Sequence, residues 1–197
     1  MELFAETRVQ RLLSKVPPRS DDRGMICILK GSRPQLSETF IRAHVERLPG
    51  DKVVLYNHYP EYKCNGRTLR YFHSSNPVVA KAKRILPQFI YDRIVTRHEF
   101  SEARTLDYMC GFVRDHNVDV ILAEYGFNGA DITLIAKRLD LPLVVHFHGH
   151  DAHHGTRLKP YRDRYRTMFG YAHRVLSVSH VMTRALIELG ADESKIV

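Results

Sequence analysis

The sequence has few cysteines and no long apolar segment. No apolar run approaches the roughly 18 residues that a membrane-spanning helix needs, and the first residues lack a secretory hydrophobic stretch. The three cysteines, Cys27, Cys64 and Cys110, lie far apart and form no C-x-x-C pair. Because Cys27 falls inside a strand-like run, we expect buried thiols in a reducing cytoplasm rather than a disulfide framework.

Acidic residues are fewer than basic residues. The chain has 30 lysines and arginines against 22 aspartates and glutamates, a net charge of +8. Such an excess of positive charge favours an anionic partner. The three alternatives are a nucleic acid, a phospholipid head group and a phosphorylated metabolite. The sequence shows no zinc-finger spacing, RNA-stacking signature or heptad zipper, so nucleic acid is the weakest of the three. The 197 residues, 44% of them hydrophobic, suit one folded domain.

A break near Pro17 separates a short first segment from the rest of the chain. Residues 2–16 place apolar side chains at helical spacing with basic side chains between them, which predicts a basic amphipathic helix. The proline- and glycine-containing stretch 17–24 is typical of a linker. We therefore expect an amphipathic segment and linker over residues 1–23 and one domain over residues 24–197.

Beyond Met25, apolar runs of strand type alternate with helical segments. The strand candidates are 25–30, 52–57, 118–126, 141–149 and 173–179, with a short extended piece within 67–73. The helix candidates are 37–48, 77–95 (kinked at Pro87), 101–116, 129–140, 158–172 and 180–190. This alternation predicts right-handed crossovers and an α/β fold with a doubly wound, Rossmann-like parallel sheet.

Polar loops follow four of these strands. They are KGSRPQLSETF (30–40), EYGFNG (124–129), HFHGHDAHHG (146–155) and SVSH (177–180). In an open parallel sheet, ligands bind beyond the carboxyl ends of the strands. We therefore expect the four loops to converge on one edge of the sheet and to line a binding cleft there.

The third of these loops holds five histidines in ten residues. If the strand continues into the loop, His146 and His148 share one face and Val145 and Phe147 the other. The order H-x-H-x-H-D differs from the H-x-H-x-D-H of lactamase-type zinc hydrolases, and no distant ligand cluster is evident, so we expect no metal. We expect His146, like the two later histidines His153 and His154, to be satisfied or solvated without a chemical role.

PLVVHFHGHDA, with AHRVLSVS about 25 residues later, resembles the amino-terminal domain of retaining glycosyltransferases of family four, which have the GT-B fold. The matching positions are Pro142, His148, Gly149, Asp151, Arg174, Val175, Val178 and Ser179. LSETFI (36–41) and EYGFNG resemble the subgroup that builds exopolysaccharide and colanic-acid-like chains. The likeness covers about residues 25–197 and departs at Lys30-Gly31, where that subgroup has an aromatic residue followed by proline.

The resemblance implies a reaction and a set of site residues. It implies retaining transfer of a sugar from a nucleotide-sugar to a growing cell-surface polysaccharide or lipid-linked acceptor, without a protein nucleophile, metal or other cofactor. His148, facing the donor sugar, and Asp151, orienting an acceptor hydroxyl, are the candidate catalytic residues. The candidate substrate-binding residues are Gly31, Ser37, Glu38, Glu124, Gly126, Gly129, Gly149 and Ser179. Structural alternatives stay open, since serine and aspartate also cap helices and loops, glycine suits turns, and histidine is often buried.

The same resemblance implies a second domain, beyond these residues, that binds most of the nucleotide-sugar. We therefore expect the chain alone to be inactive. The basic stretches 81–84 and 157–166 suit peripheral contact with an anionic membrane at the inner face of the cell membrane, although plain solvated helix faces explain them equally well. A non-catalytic sugar- or phosphate-binding module is the main alternative function, and a zinc hydrolase is a weaker one.

Overall fold

Seven strands form one sheet in the computed structural model, which describes residues 24–31, 39–57, 59, 62–69, 87, 102–153 and 161–197. The strands are β1 (Met25–Lys30), β2 (Asp51–Tyr56), β3 (Lys63–Cys64), β4 (Arg67–Thr68), β5 (Val118–Glu124), β6 (Leu143–His146) and β7 (Arg174–Leu176). Their spatial order is β4-β3-β2-β1-β5-β6-β7, and all pairs except those that involve β3 and β4 are parallel. The predicted α/β fold with a parallel sheet is confirmed.

Six helices are described between and after these strands. They are α1 (Thr39–Arg47), α2 (Glu102–Asp115), α3 (Gly126–Leu139), α4 (His150–His153), α5 (Arg162–Tyr171) and α6 (His180–Glu188), and a 3₁₀ turn follows at Glu193–Lys195. The predicted segments 1–23, 32–38, 70–73 and 77–95 lie outside the described residues, apart from Pro87.

Two stretches that were predicted as loop are helical. Helix α3 begins at Gly126, three residues early, so most of EYGFNG is helical rather than loop. The histidine tract likewise contains the helical turn α4. The reason for the first difference is a distant cap, because the carboxylate of Asp151 accepts a hydrogen bond from the backbone N–H of Gly126 at 2.7 Å.

Alternation along the strands divides the core into two layers. Ile26 and Ile28 of β1 belong to the cluster that Val45 of α1 covers, whereas Cys27 and Leu29 belong to the larger cluster on the opposite face. That larger cluster also holds the buried faces of α2, α3 and α5. Since helices cover both faces, β5 is buried at all seven positions, as expected for a central parallel strand.

The short hairpin of β3 and β4 extends the sheet at one edge. Asn65 and Gly66 form its two-residue turn with φ of 48° and 78°, the conformation that an Asn-Gly pair favours. The predicted extended piece is confirmed at Arg67–Thr68. No helix in the described ranges is long and apolar enough to span a bilayer.

The chain leaves β1 and β5 in opposite directions across the sheet. β1 is followed by β2 on one side, and β5 is followed by β6 on the other. The carboxyl ends of β1 and β5 are therefore a topological switch point, where open α/β sheets form their binding crevice. Gly31 directly follows β1 there, and Glu124 is the last residue of β5.

Candidate functional site

A buried carboxylate at the end of β5 binds three imidazoles. Oε1 of Glu124 lies 2.6 Å from Nδ1 of His44, and its Oε2 lies 3.1 Å from Nδ1 of His146 and 2.9 Å from Nε2 of His148. We call these four residues the Glu124 cluster. Three of its side chains are at most 3% exposed, while His148 is 7% exposed, so His148 is the member closest to solvent.

The local fold explains why these residues meet. Glu124 pairs with His146 across the parallel strands β5 and β6, and His148 follows two residues later on the same face. Val145 and Phe147 point into the core on the other face, as predicted. Helix α1 contributes His44 and, one turn earlier, Phe40, because residues four apart share a helix face.

The electrostatics of the cluster favour an ionised carboxylate. Burial raises the pKa of Glu124, but hydrogen bonds from His146, His148 and His44 outweigh burial and hold that pKa well below its usual range. An ionised carboxylate only accepts hydrogen bonds. The three ring nitrogens that contact Glu124 are therefore donors, which fixes the Nδ1–H form at His146 and His44 and an Nε2–H at His148.

His146 is neutral at physiological pH. Burial, and then the electrostatic effect of the neighbouring His148, lower the pKa of His146 to about 4 from an ordinary 6.5. We expected His146 to be hydrogen-bonded without a chemical role, and its hydrogen-bond partner is Glu124. Its Nδ1–H supports Glu124 without bringing a second full charge into the core.

Stability is expected to fall as the pH is lowered from about 6.5 to about 4. The unfolded chain binds a proton at His146 in that range while the folded chain excludes it, so this contribution is fully present above 6.5. Through this group, the free energy of unfolding falls by at most about 1.4 kcal/mol for each pH unit. The depressed pKa of Glu124 adds a further loss as the pH falls below about 4.5, because the unfolded carboxylate then binds a proton that the folded one excludes. That loss is complete once the folded carboxylate is protonated as well.

Urea unfolding measured at several pH values tests this dependence. His146→Asn removes the titrating ring and keeps a side-chain N–H donor, so its slope between pH 4 and 6.5 is expected to be shallower than that of the unaltered protein. His180→Asn, at an exposed histidine, is the matched control and is expected to leave the slope unchanged. Parallel curves for His146→Asn and the unaltered protein would contradict the assignment.

His148 is held between two aromatic rings. Phe40 stacks on it with ring centroids 4.2 Å apart and an interplanar angle of 23°, and Tyr125 meets it edge-on at 4.7 Å. Together with the bond to Glu124, these rings define both the plane and the tautomer of His148. A fixed imidazole at the switch point is suited to recognise one defined polar group of a ligand.

Tyr125 has an unusual backbone conformation. Its φ of 74° and ψ of 139° lie in a region that side-chain-bearing residues rarely adopt, at a cost of about 1–3 kcal/mol. The surrounding bonds enforce it, since Tyr125 N donates to His146 O at 2.8 Å and Gly126 N is tied to Asp151. Backbone strain of this kind concentrates at functional sites.

Asp151 joins two of the predicted loops. Its Oδ1 accepts from the backbone N–H of His148 at 2.9 Å, and its Oδ2 accepts from that of Gly126. The carboxylate also lies at the positive end of α3, which has no side-chain cap of its own. These contacts are those of an aspartate that caps a helix and a loop, which is the structural alternative for Asp151. The orientation of an acceptor hydroxyl by Asp151 stays a prediction.

The predicted glycines have different surroundings. A Cβ on Gly126 would lie 2.2 Å from the Phe147 ring, and one on Gly129 would lie 2.7 Å from Val145, so both glycines permit close packing of α3 on β6 and on the residue that follows it. Gly149 has a φ of 97°, which favours glycine. Gly31, beside β1, has open space around its Cβ position.

The remaining predicted residues fall into two groups. Ser179 is the N-cap of α6, where its Oγ accepts from Met182 N at 3.2 Å. Ser37 and Glu38 lie outside the described residues. The structure thus brings together Glu124, Gly126, His148, Gly149 and Asp151, and any ligand contact by them stays a prediction.

Three residues at the site were not predicted from the sequence. They are Phe40, His44 and Tyr125. The signal for His44 was its spacing, because it lies three residues after the buried Ile41 and so places a polar ring on the apolar face of α1. Nothing in the sequence indicates that its partner is Glu124.

One part of the cluster has the composition of a metal site. Among the described residues, ligand atoms of His44, Glu124 and His146 lie within 4.8 Å of one another. The separations of 2.6 and 3.1 Å from the carboxylate are hydrogen-bond lengths, and these bonds already satisfy both oxygens. The absence of a metal stays a prediction.

Most of the chain, including the end of β5 and β6, matches a known protein family. A model of the glycosyl transferase 4-like domain matches residues 53–197. The chain belongs to this family. In this glycosyl transferase 4-like domain, Glu124, His146 and His148 lie within the matched range, whereas α1, with Phe40 and His44, precedes it. No curated protein matches the chain.

This glycosyl transferase 4-like domain is similar to parts of solved structures. UDP-N-acetylglucosamine 2-epimerase from Rickettsia bellii is 12% identical with a TM-score of 0.50, over 88% of this chain and 44% of that protein. Anabaena HepE, in complex with UDP and glucose, is 12% identical with a TM-score of 0.47, over 88% and 43%. The chain spans less than half the length of these two proteins.

Proposed function

We propose that this chain is the acceptor-side domain of a retaining glycosyltransferase of the exopolysaccharide type. It acts with a nucleotide-sugar donor and a growing cell-surface polysaccharide or a lipid-linked saccharide as acceptor. The observation that carries the proposal is the position of His148, which the buried Glu124 carboxylate holds at 2.9 Å beside the switch point of a glycosyl transferase 4-like domain.

His148 and Glu124 suit the charges of this reaction. As the bond to the leaving phosphate breaks, positive charge develops on the anomeric carbon, and groups fixed in advance stabilise that charge most effectively. Because His148 contacts Glu124 through Nε2, its other ring nitrogen, Nδ1, is the atom that we assign to a hydrogen bond with a sugar hydroxyl. The negative charge of Glu124, behind the ring, favours the developing cation.

Glu124 acts as a positioning residue in this proposal. Its side chain is fully buried and both of its oxygens bind imidazoles, so it orients His148 rather than touching the acceptor. Asp151 holds the backbone of His148 from the other side. The proposal replaces the predicted contact of Glu124 with the acceptor by this indirect role.

The remaining parts of the proposal concern the rest of the enzyme and the membrane. Since the chain spans less than half of the structural neighbours, we assign most contacts with the nucleotide to a downstream domain. The exposed arginines of α5 are Arg162, Arg164 and Arg166. Arg164 binds Asp131 at 2.6 Å, and Arg166 lies 3.8 Å from Asp163. We assign to this face a peripheral contact with anionic lipid, whose attraction is about 1 kcal/mol for each free basic side chain.

Radiolabelled donors test the proposal. The chain joined to its natural downstream sequence is incubated with UDP-glucose, UDP-N-acetylglucosamine or GDP-mannose and with a lipid extract, and release of nucleotide and transfer of label are measured. We expect turnover of one donor, and a loss of roughly 10²-fold in His148→Ala. The chain alone is expected to turn over none.

Matched variants decide the outcome. His173→Ala, at an exposed histidine outside the Glu124 cluster, is expected to retain full turnover. Full turnover by His148→Ala would contradict the role of this ring. Absence of turnover with every donor, in a folded protein, would favour the non-catalytic binding module instead.

A further inference from the structure

We propose that a row of aromatic rings beside His148 is the subsite on which a sugar ring of the acceptor stacks. The row consists of Tyr125, Phe127 and Tyr161, and we call it the aromatic row. The inference rests on the proposed function, because it names the part of the acceptor that this edge of the sheet would bind.

The rings form a continuous series that starts at His148. Tyr125 lies 4.7 Å from His148, and Phe127 is stacked on Tyr125 at 5.3 Å with an interplanar angle of 5°. Tyr161, at the start of α5, lies 6.4 Å from Phe127. The series therefore leads away from the imidazole assigned to the reacting sugar, in the manner of a surface that binds the next sugar ring of a chain.

The aromatic row keeps part of its surface exposed, unlike the aromatic residues of the core. Its three residues are half-buried, whereas Phe147, Tyr165 and Tyr62 are almost completely buried. Tyr161 also packs against the core, as the half-buried Phe112 and Tyr171 do. The part of each ring that stays exposed is the surface that we assign to the saccharide.

The chemistry of the aromatic row fits a carbohydrate. The faces of aromatic rings carry partial negative charge, which attracts the C–H groups on the apolar face of a pyranose. Polar groups are also present, since Tyr125 and Tyr161 carry hydroxyls. The guanidinium of Arg164 lies over one face of the Tyr161 ring, 5.1 Å from its centre, so that face is already covered. A saccharide needs this combination of an apolar face and hydrogen-bonding groups around its rim.

The backbone of Tyr125 is a second, independent observation. A φ of 74° with a ψ of 139° suits glycine, yet the chain holds a large aromatic side chain there. The site therefore retains a ring at position 125 despite an unfavourable backbone conformation. The ring packs edge-on against His148, and stacking of a sugar on its exposed part is a second use that glycine could not supply.

Saturation-transfer NMR on the full chain tests the inference with defined probes. Cellotetraose, maltotetraose and chitotetraose are each added at millimolar concentration, and transfer to their ring C–H protons is measured. We expect transfer to at least one of them, a loss of five-fold or more in Tyr125→Gly and Phe127→Ala, and retention in Tyr125→Phe. Tyr108→Ala, at an exposed tyrosine of α2, is the matched control and is expected to bind like the unaltered protein.

Each outcome bears on the inference. Tyr125→Gly is expected to fold, because glycine relaxes the backbone there, and Phe127→Ala gives a second variant at a residue without that strain. Unchanged transfer in both variants, no transfer with any probe, or displacement of the saccharide by uridine monophosphate would overturn it. Failure of these tests while the enzyme still turns over a donor refutes the subsite alone, whereas absence of donor turnover refutes the proposed function.

Discussion

Glu124→Ala is expected to lower the free energy of unfolding by about 3–5 kcal/mol. The substitution removes the acceptor of three buried ring N–H groups, on His44, His146 and His148. Each donor that is left buried without a partner costs about 1–3 kcal/mol. Relaxation of His148, the least buried of the three, toward water keeps the total below the simple sum.

Two further variants accompany this measurement. One removes the charge of Glu124 and keeps its volume, and the other is a control. Glu124→Gln keeps the shape and one acceptor oxygen, so we expect a smaller loss of about 1–2 kcal/mol. Glu46→Ala, at a glutamate whose side chain is 59% exposed, is the matched control and is expected to change stability by less than about 0.5 kcal/mol. A loss below about 1 kcal/mol in Glu124→Ala, in urea unfolding at pH 7, would contradict the hydrogen-bonded cluster.

The sequence predicted the sheet well because its signals are local. Five apolar runs, separated by helical segments, are enough to specify a parallel α/β sheet, and all five occur as strands. The hairpin of β3 and β4 was harder to recognise, since its strands have only two residues each. Its Asn65-Gly66 turn was the available signal.

The candidate site was predictable only in part. The alternation of strand residues placed His146 and His148 on one face, as the structure confirms, but the partner of that face depends on strand register. Glu124 meets His146 because β5 and β6 are neighbours, and His44 arrives from a separate helix. Contacts between residues 80 apart in sequence have no local signature.

The start of α3 shows the same limit. Its first residue is stabilised by Asp151, 25 residues later, so the pattern of EYGFNG alone favours a loop. The glycines in that stretch are candidate substrate-binding residues, and a ligand contact by them stays a prediction. The structure places Phe147 and Val145 against their Cβ positions, and this packing leads to the second prediction.

Gly126→Ala is expected to destabilise the protein by about 1–3 kcal/mol, although alanine favours helices. The new Cβ would lie 2.2 Å from Cε1 of Phe147 and 2.7 Å from the hydroxyl of Tyr165. Phe147 cannot move away easily, because it is fully buried and packs against Tyr165 and Phe169. Overpacking therefore outweighs the gain in helix propensity, which is at most about 1 kcal/mol.

Gly170→Ala supplies the matched control for this prediction. Gly170 is exposed within α5, and no atom lies within 4 Å of its Cβ position. Only the propensity gain remains there, so we expect stabilisation by about 0.5–1 kcal/mol. Urea unfolding thus compares one substitution in two helices, and the two changes are expected to have opposite signs. Equal effects would show that Phe147 and Tyr165 do not lie close enough to α3 to require glycine at position 126.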